Sequence, residues 1–207
     1  MAGPSGKAYA GAMTAGHGTA DEATAPPSLD ALLGEGHFSE RHERRIEAPP
    51  AAVWAALHEV RLVDLALSRT LMDLRTLPMR LRGRPRPRMV TARLLEDGPV
   101  PVLATDPGRM VLAGGAMQPW RITRHTEPPP LDLEALRAFS EPGWVKVGMD
   151  FVLEPADGAT RVRTETRIVA TDRRTRLVFG IYWVAIRAGS GLIRRDMLRA
   201  VARRAEG

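Results

Sequence analysis

The sequence predicts an α+β domain in which a curved antiparallel β-sheet wraps around a long C-terminal α-helix. Three observations carry this. Two neighbouring stretches, GWVKVGMDFVLEP (143–155) and TRVRTETRIVATD (160–172), alternate with period two about the turn Ala156-Asp157-Gly158. RRTRLVFGIYWVAI (173–186) is apolar on every side of a helix and therefore needs cover. LIRRDMLRAVARRAE (192–206) then places Leu192, Ile193, Met197, Leu198 and Val201 at helical spacing.

A chain of 207 residues with 44% hydrophobic residues suffices for one sizeable core, so a single domain is expected over 29–207. Residues 1–28 are small, polar and punctuated by proline, which predicts a disordered N-terminal tail. Cysteine is absent, and the N-terminus lacks a basic start followed by an apolar run, so a cytoplasmic address is expected. The net charge of +6 invites a nucleic-acid reading. Against it, only Lys7 and Lys146 are lysines, and the arginine, alanine, glycine and proline content matches GC-rich coding. The dense basic cluster RLRGRPRPR (80–88) has no interleaved aromatic residue on which bases would stack, so nucleic acid is not an expected partner.

SLDALLGEG (28–36) suits one helical turn ahead of the domain. HFSERHERRIEA (37–48) reads as the first strand, with Phe38, Glu40, His42, Arg44 and Ile46 on one face. Pro49 and Pro50 suit a helix start, and Val53, Trp54, Leu57 and Val60 fall at helical spacing behind them. A second short helix, VDLALSRTLMDL (63–74), ends before Pro78. RPRMVTARLL (86–95), PGRMVLAGGAM (107–117) and PWRITRH (119–125) read as strands. Gly114 and Gly115 suggest a bulge or a close approach of backbones. A short helix, LDLEALRAF (131–139), precedes the two clearest strands.

In those strands Val145, Val147, Met149, Phe151 and Leu153 should face the interior, with Val162, Thr164, Thr166 and Ile168 beside them. Arg161, Arg163, Glu165 and Arg167 should face water, and Lys146 and Asp150 should join them in a cross-strand ladder. Thr164 and Thr166 read either as β-branched filler or as polar points in a ligand cavity. Asp172 can cap the C-terminal helix. The run Leu177–Ile186 is about half of the roughly 20 residues a bilayer span needs, so no transmembrane segment is expected, and Gly189-Ser190-Gly191 should bend or interrupt the helix. Beyond that break, Arg194, Arg195, Arg199, Arg203 and Arg204 fall mostly opposite the apolar stripe.

The order of elements resembles the helix-grip fold of the START-like, or SRPBCC, superfamily, which also contains the Bet v 1-like proteins. RRIEAPPAAVWAAL resembles its first strand and entry into the first helix. VLAGGAMQPWRI, FSEPGWVKVGMDF, TRVRTETRIVATD and YWVAIRAGSGLIRR resemble successive segments of a little-characterised bacterial branch labelled polyketide cyclase/dehydratase-like. The resemblance covers about residues 38–206 and carries no agreed catalytic set. It implies an internal apolar cavity between sheet and C-terminal helix, able to hold a lipid-, steroid- or polyketide-like molecule, or to act on one as a cyclase, aromatase or dehydratase.

No His-Glu-x-x-His, phosphate-binding loop or dinucleotide fingerprint occurs, so neither metal nor cofactor is expected. The inward ionisable candidates are His42, Arg121 and Tyr182, with His42 equally readable as a structurally partnered histidine. Val147, Met149, Phe151, Thr164, Thr166 and Ile186 complete the expected ligand pocket, with YWVAI as its lid. A membrane-surface role for the basic C-terminal helix is the third reading.

Overall fold

The computed structural model describes residues 27–65, 93, 95, 100–121 and 128–207. Helix α1 (Leu29–Leu33) precedes strand β1 (Phe38–Ile46), helix α2 (Pro50–Glu59) and a 3₁₀ turn (Leu62–Asp64). Then come β2 (Val102–Asp106), β3 (Met110–Met117), α3 (Leu133–Ala138), β4 (Val145–Ala156), β5 (Ala159–Ala170) and the long helix α4 (Arg173–Glu206). The strands form one antiparallel sheet in the order β1-β5-β4-β3-β2. It is a curved sheet closed by a long C-terminal helix, the helix-grip arrangement. Most of the second short helix at 63–74, of the strand at 86–95 and of the strand at 119–125, and the whole basic cluster at 80–88, lie outside the described residues.

The β4–β5 hairpin turns at Asp157 and Gly158, whose φ angles of 41° and 78° are both positive. A two-residue turn of that hand matches the twist of the strands and locks the register from Ala156 opposite Ala159 to Val145 opposite Ala170. This register puts Met149, Phe151, Leu153 and Val162 on the inner face, as the alternation predicts. There they pack with Ile46, Val53 and Leu57 and with Met197, Leu198 and Val201 of α4. Pro50 opens α2 at its first turn, where a missing N–H leaves no bond unmade.

The outer face departs from expectation. Helices α1 and α3 lie over it and build a second apolar cluster from Leu29, Leu32, Met110, Leu112, Leu136 and Trp144. Gly148, paired with Gly114, is what lets α1 sit so low: a Cβ on Gly148 would stand 2.7 Å from Leu29 Cδ1. Gly114 is the close backbone approach read from the sequence, since its Cβ would lie 2.9 Å from the Val147 carbonyl oxygen. The irregularity in pairing falls on the neighbouring strand, between Val102 and Ala104.

Under α1, three of the charges expected to face water, Asp150, Glu165 and Arg167, are buried instead. Arg167 donates to Glu165 Oε1 at 2.6 Å and also to Asp30 and the Gly34 carbonyl of the α1 segment. Arg41 adds a second donor to Glu165, at 2.6 Å. Burial opposes ionisation of Glu165, but the hydrogen bonds from Arg167 and Arg41 outweigh it and hold its carboxyl below the ordinary range. Burial dominates at Asp150 and raises its pKa, although the Glu165 N–H donates to it at 2.9 Å. Such a network adds little net stability against an apolar alternative, yet removing one partner is costly. It therefore ties α1 to the sheet in one register.

Helix α4 starts at Asp172, whose carboxylate accepts from Thr175 N and Thr175 Oγ1 at 2.8 and 2.6 Å and from Gly143 N at 2.6 Å. It then runs 34 residues through Gly189-Ser190-Gly191 without interruption, against the expected break. A continuous helix changes the membrane count as well: α4 is long and apolar enough to cross a bilayer by length and composition alone. One face nevertheless belongs to the core, because Phe179 and Trp183 pack with Phe38, Val145 and Ile168. The opposite face of the same half, expected to be covered, is open: Leu177, Ile181 and Val184 are 73, 78 and 80% exposed.

Two predictions follow from this packing. Phe151 is 1% exposed, so Phe151→Ala should lower the unfolding free energy by about 3 to 5 kcal/mol in urea melts. A loss below about 1 kcal/mol would mean that the site is not closed core. Asp172 is held at about 2, first by the Thr175 hydroxyl and then by the N–H groups of Thr175 and Gly143. Its stabilisation is therefore complete above the unfolded carboxyl value of about 3.9 and is lost as pH falls toward the folded one. Asp172→Asn, which cannot titrate, should melt lower at neutral pH and lose stability less steeply than the wild type between about pH 4 and 2. Parallel pH profiles for the two proteins would exclude this role.

Candidate functional site

On the inner face, the β1–β5 register sets Glu40 opposite Thr166 and His42 opposite Thr164. The β4–β5 register extends both rows, to Met149 beside Thr166 and to Phe151 beside Thr164. Polar and apolar side chains thus share one patch of sheet. Above it passes the stretch of α4 whose residues are smallest, Gly189-Ser190-Gly191. A Cβ on Gly191 would stand 2.6 Å from Glu40 Oε1 and 3.6 Å from the His42 ring, so with Glu40 in this position glycine is what lets the helix come this close. At Gly189 the corresponding space is open.

His42 Nε2 donates to Glu40 Oε1 at 3.0 Å, and the two side chains are 13 and 11% exposed. That bond fixes which ring nitrogen carries the proton and leaves Nδ1 as the other functional atom. Arg194 reaches in from the next turn of α4. Its Nη2 donates to Thr166 Oγ1 at 2.7 Å, and its guanidinium carbon lies 5.9 Å from the centre of the Phe151 ring. Burial lowers the Arg194 pKa to about 10, with the carboxylates of Glu40 and Asp150 acting in the opposite sense. It stays protonated at neutral pH, as a half-buried cation. Two further atoms are buried with no hydrogen-bond partner, Glu40 Oε2 and Thr164 Oγ1. Each such orphan costs about 1 to 3 kcal/mol.

The cluster holds a cation, an anion, an imidazole and hydroxyls in a low-dielectric setting. It can hydrogen-bond the polar end of a molecule whose remainder is apolar, and the oriented imidazole can move a proton. Among the described residues no group of three His, Cys, Asp or Glu side chains could hold a metal ion.

Of the residues expected to form a pocket, His42, Met149, Phe151, Thr164 and Thr166 meet in this patch. Val147 of β4 and Tyr182 and Ile186, nearer the start of α4, lie apart from it, half-buried around Phe179 and Trp183, with the Tyr182 ring 5.8 Å from that of Phe179. Arg121 stands apart: it is exposed, in a surface depression shared with Trp120, Asp172 and Thr175 at the start of α4. His125 lies outside the described residues.

Sequence reasoning did not single out Glu40, although it set Glu40 on the His42 face, and it put Arg194 on the solvated side of the helix. The signal for Arg194 was spacing: it follows Ile186 and Ser190 at intervals of four and precedes the core residues Met197 and Leu198 by about a turn.

No known protein-family description matches this sequence, and no curated protein matches it. Solved structures do. Protein MLL2253 from Mesorhizobium loti is 16% identical over 80% of this chain and 98% of its own, with a TM-score of 0.38. Protein CV1439 from Chromobacterium violaceum is 12% identical over 82 and 97%, with a TM-score of 0.36. Ara h 8.0201 is 14% identical over 80 and 98%, with a TM-score of 0.32. At such identities and scores the fold assignment rests on this chain's own topology.

Proposed function

We propose that this chain binds an apolar small molecule, lipid-, steroid- or polyketide-like, between the inner face of the sheet and α4. One observation carries the reading: a partly satisfied polar cluster, Arg194 with Glu40, His42, Thr164 and Thr166, set inside otherwise apolar packing. Buried polar atoms are usually hydrogen-bonded, so Glu40 Oε2 and Thr164 Oγ1 are places where a ligand's polar end would find partners. Glu40 Oε2 needs a donor, Arg194 offers donors, and Thr164 Oγ1 can do either. The complementary ligand therefore has a polar end bearing both an O–H and a carbonyl oxygen. Phe151 and Trp183 are buried in packed clusters. The apolar body of the ligand is accordingly assigned to the half-buried wall of Val147, Tyr182 and Ile186. The superfamily resemblance supports the same class of ligand.

A second reading, catalysis on such a molecule by a cyclase, aromatase or dehydratase, is favoured by the Glu40–His42 hydrogen bond. A carboxylate that orients an imidazole is the arrangement a general base requires. In that case His42→Asn would leave uptake intact and abolish turnover, whereas a pure carrier shows no turnover to abolish.

The test is uptake of a fluorescent fatty acid. Ile186→Trp, Tyr182→Ala and Arg194→Met should each weaken uptake by about tenfold or more. Arg199→Glu and Arg203→Glu, on exposed positions further along α4, should take up probe like the wild type. Loss in the last two with normal uptake in the first three would overturn the internal site. Native mass spectrometry of the gently purified protein gives a second readout, a co-purified apolar molecule.

A further inference from the structure

We propose that the outward face of the N-terminal half of α4 docks flat on an anionic lipid bilayer, with Leu177, Ile181 and Val184 inserted and the flanking arginines at headgroup level. This surface is separate from the internal cluster and does not depend on it.

Scattered exposed apolar residues are ordinary on a protein surface. These three are not scattered: at spacings of four and three they lie on one face of one helix, over roughly 10 Å. The face behind them is anchored, because Phe179 and Trp183 pack into the sheet cluster, so the stripe cannot turn inward. Only 17% of the most apolar 18-residue window of α4 is buried. Gly180 deepens the surface, leaving the Phe38 ring 3.6 Å from where its Cβ would stand and opening a groove edged by Arg173 and Arg176.

Charge selects the occupant. From Arg173 to Arg195 there is no Asp or Glu, and the exposed residues Arg173, Arg174, Arg176, Arg187 and Arg195 lie at the two ends of the stripe. A second copy paired through this stripe sets arginines against arginines whether the helices run parallel or antiparallel, with no acidic group along the stripe to answer them. A bilayer rich in anionic lipid supplies both complements at once, acyl chains for the stripe and phosphates for its ends. The helix lies in the interface and does not cross it, since crossing would strip Phe179 and Trp183 from the sheet.

The experiment is co-sedimentation of the full chain with vesicles of mixed phosphatidylglycerol and phosphatidylcholine, and with phosphatidylcholine alone, alongside light scattering in solution. The wild type should bind the anionic vesicles, prefer them to the zwitterionic ones, and release them as salt rises. Ile181→Glu with Val184→Glu, and separately Arg173→Glu with Arg176→Glu, should each weaken partitioning by about tenfold or more. Arg137→Glu, which makes the same change in net charge as Ile181→Glu with Val184→Glu but on exposed α3 across the sheet, should bind as the wild type does. Ile181→Ser repeats the first variant more gently, and unchanged melting of each variant shows that the fold is retained. Absence of vesicle binding would overturn the proposal. So would equal weakening by Arg137→Glu, which would indicate diffuse charge attraction. A wild-type dimer that Ile181→Glu converts to monomer, without vesicle binding, would make a second copy of the chain the occupant instead.

Discussion

The contact on which the structure turns is the one at Gly191, where α4 comes down onto Glu40 and His42 with no side chain between. A Cβ there would meet the Glu40 carboxylate, and that side chain or the helix would have to shift. With glycine there, Arg194 is carried inward onto Thr166 and Phe151, and the Glu40–His42 pair is closed off together with the lone oxygens of Glu40 and Thr164. The uninterrupted helix also projects its N-terminal half past the polar patch. There the inward face meets the aromatic cluster of Phe38, Phe179 and Trp183, and the outward face keeps Leu177, Ile181 and Val184 exposed.

The sheet works as a middle layer. Its inner face carries polar groups in the Glu40–Thr166 and His42–Thr164 rows and, towards the end of β1, at Arg44 and Thr160, while its outer face is covered at one end by α1 and α3. Charges are consequently buried on both sides for different reasons. On the outer side Arg167, Glu165, Arg41 and Asp30 close a network in which the ionised groups answer one another. On the inner side the charges answer one another only in part, since Arg194 bonds a hydroxyl and one oxygen of Glu40 has no partner.

Local rules were legible in the sequence because they act over a few residues. Period-two alternation assigned the inner faces of β4 and β5, Asp157-Gly158 set their turn, Asp172 marked the start of α4, the paired prolines marked the start of α2, and Gly114 marked a close approach. Of the site, His42, Thr164, Thr166, Met149 and Phe151 were visible as residues sharing a face. What periodicity leaves open is which element covers a face. The outer charges looked solvated because the helix that buries them, α1, lies over a hundred residues earlier in the chain, and Gly-Ser-Gly looked like a break because a glycine's weakness in a helix is local while its use at a helix–strand contact is not. Thus the sequence by itself determined strands β1, β3, β4 and β5, the inner faces of β4 and β5, and the start of the last helix; β2 at Val102–Asp106 was not read from it. Tertiary packing alone decided that Arg194 points inward, that Arg121 stays outside, and that half of α4 keeps its apolar face in the open, because each depends on distances between segments far apart in the chain.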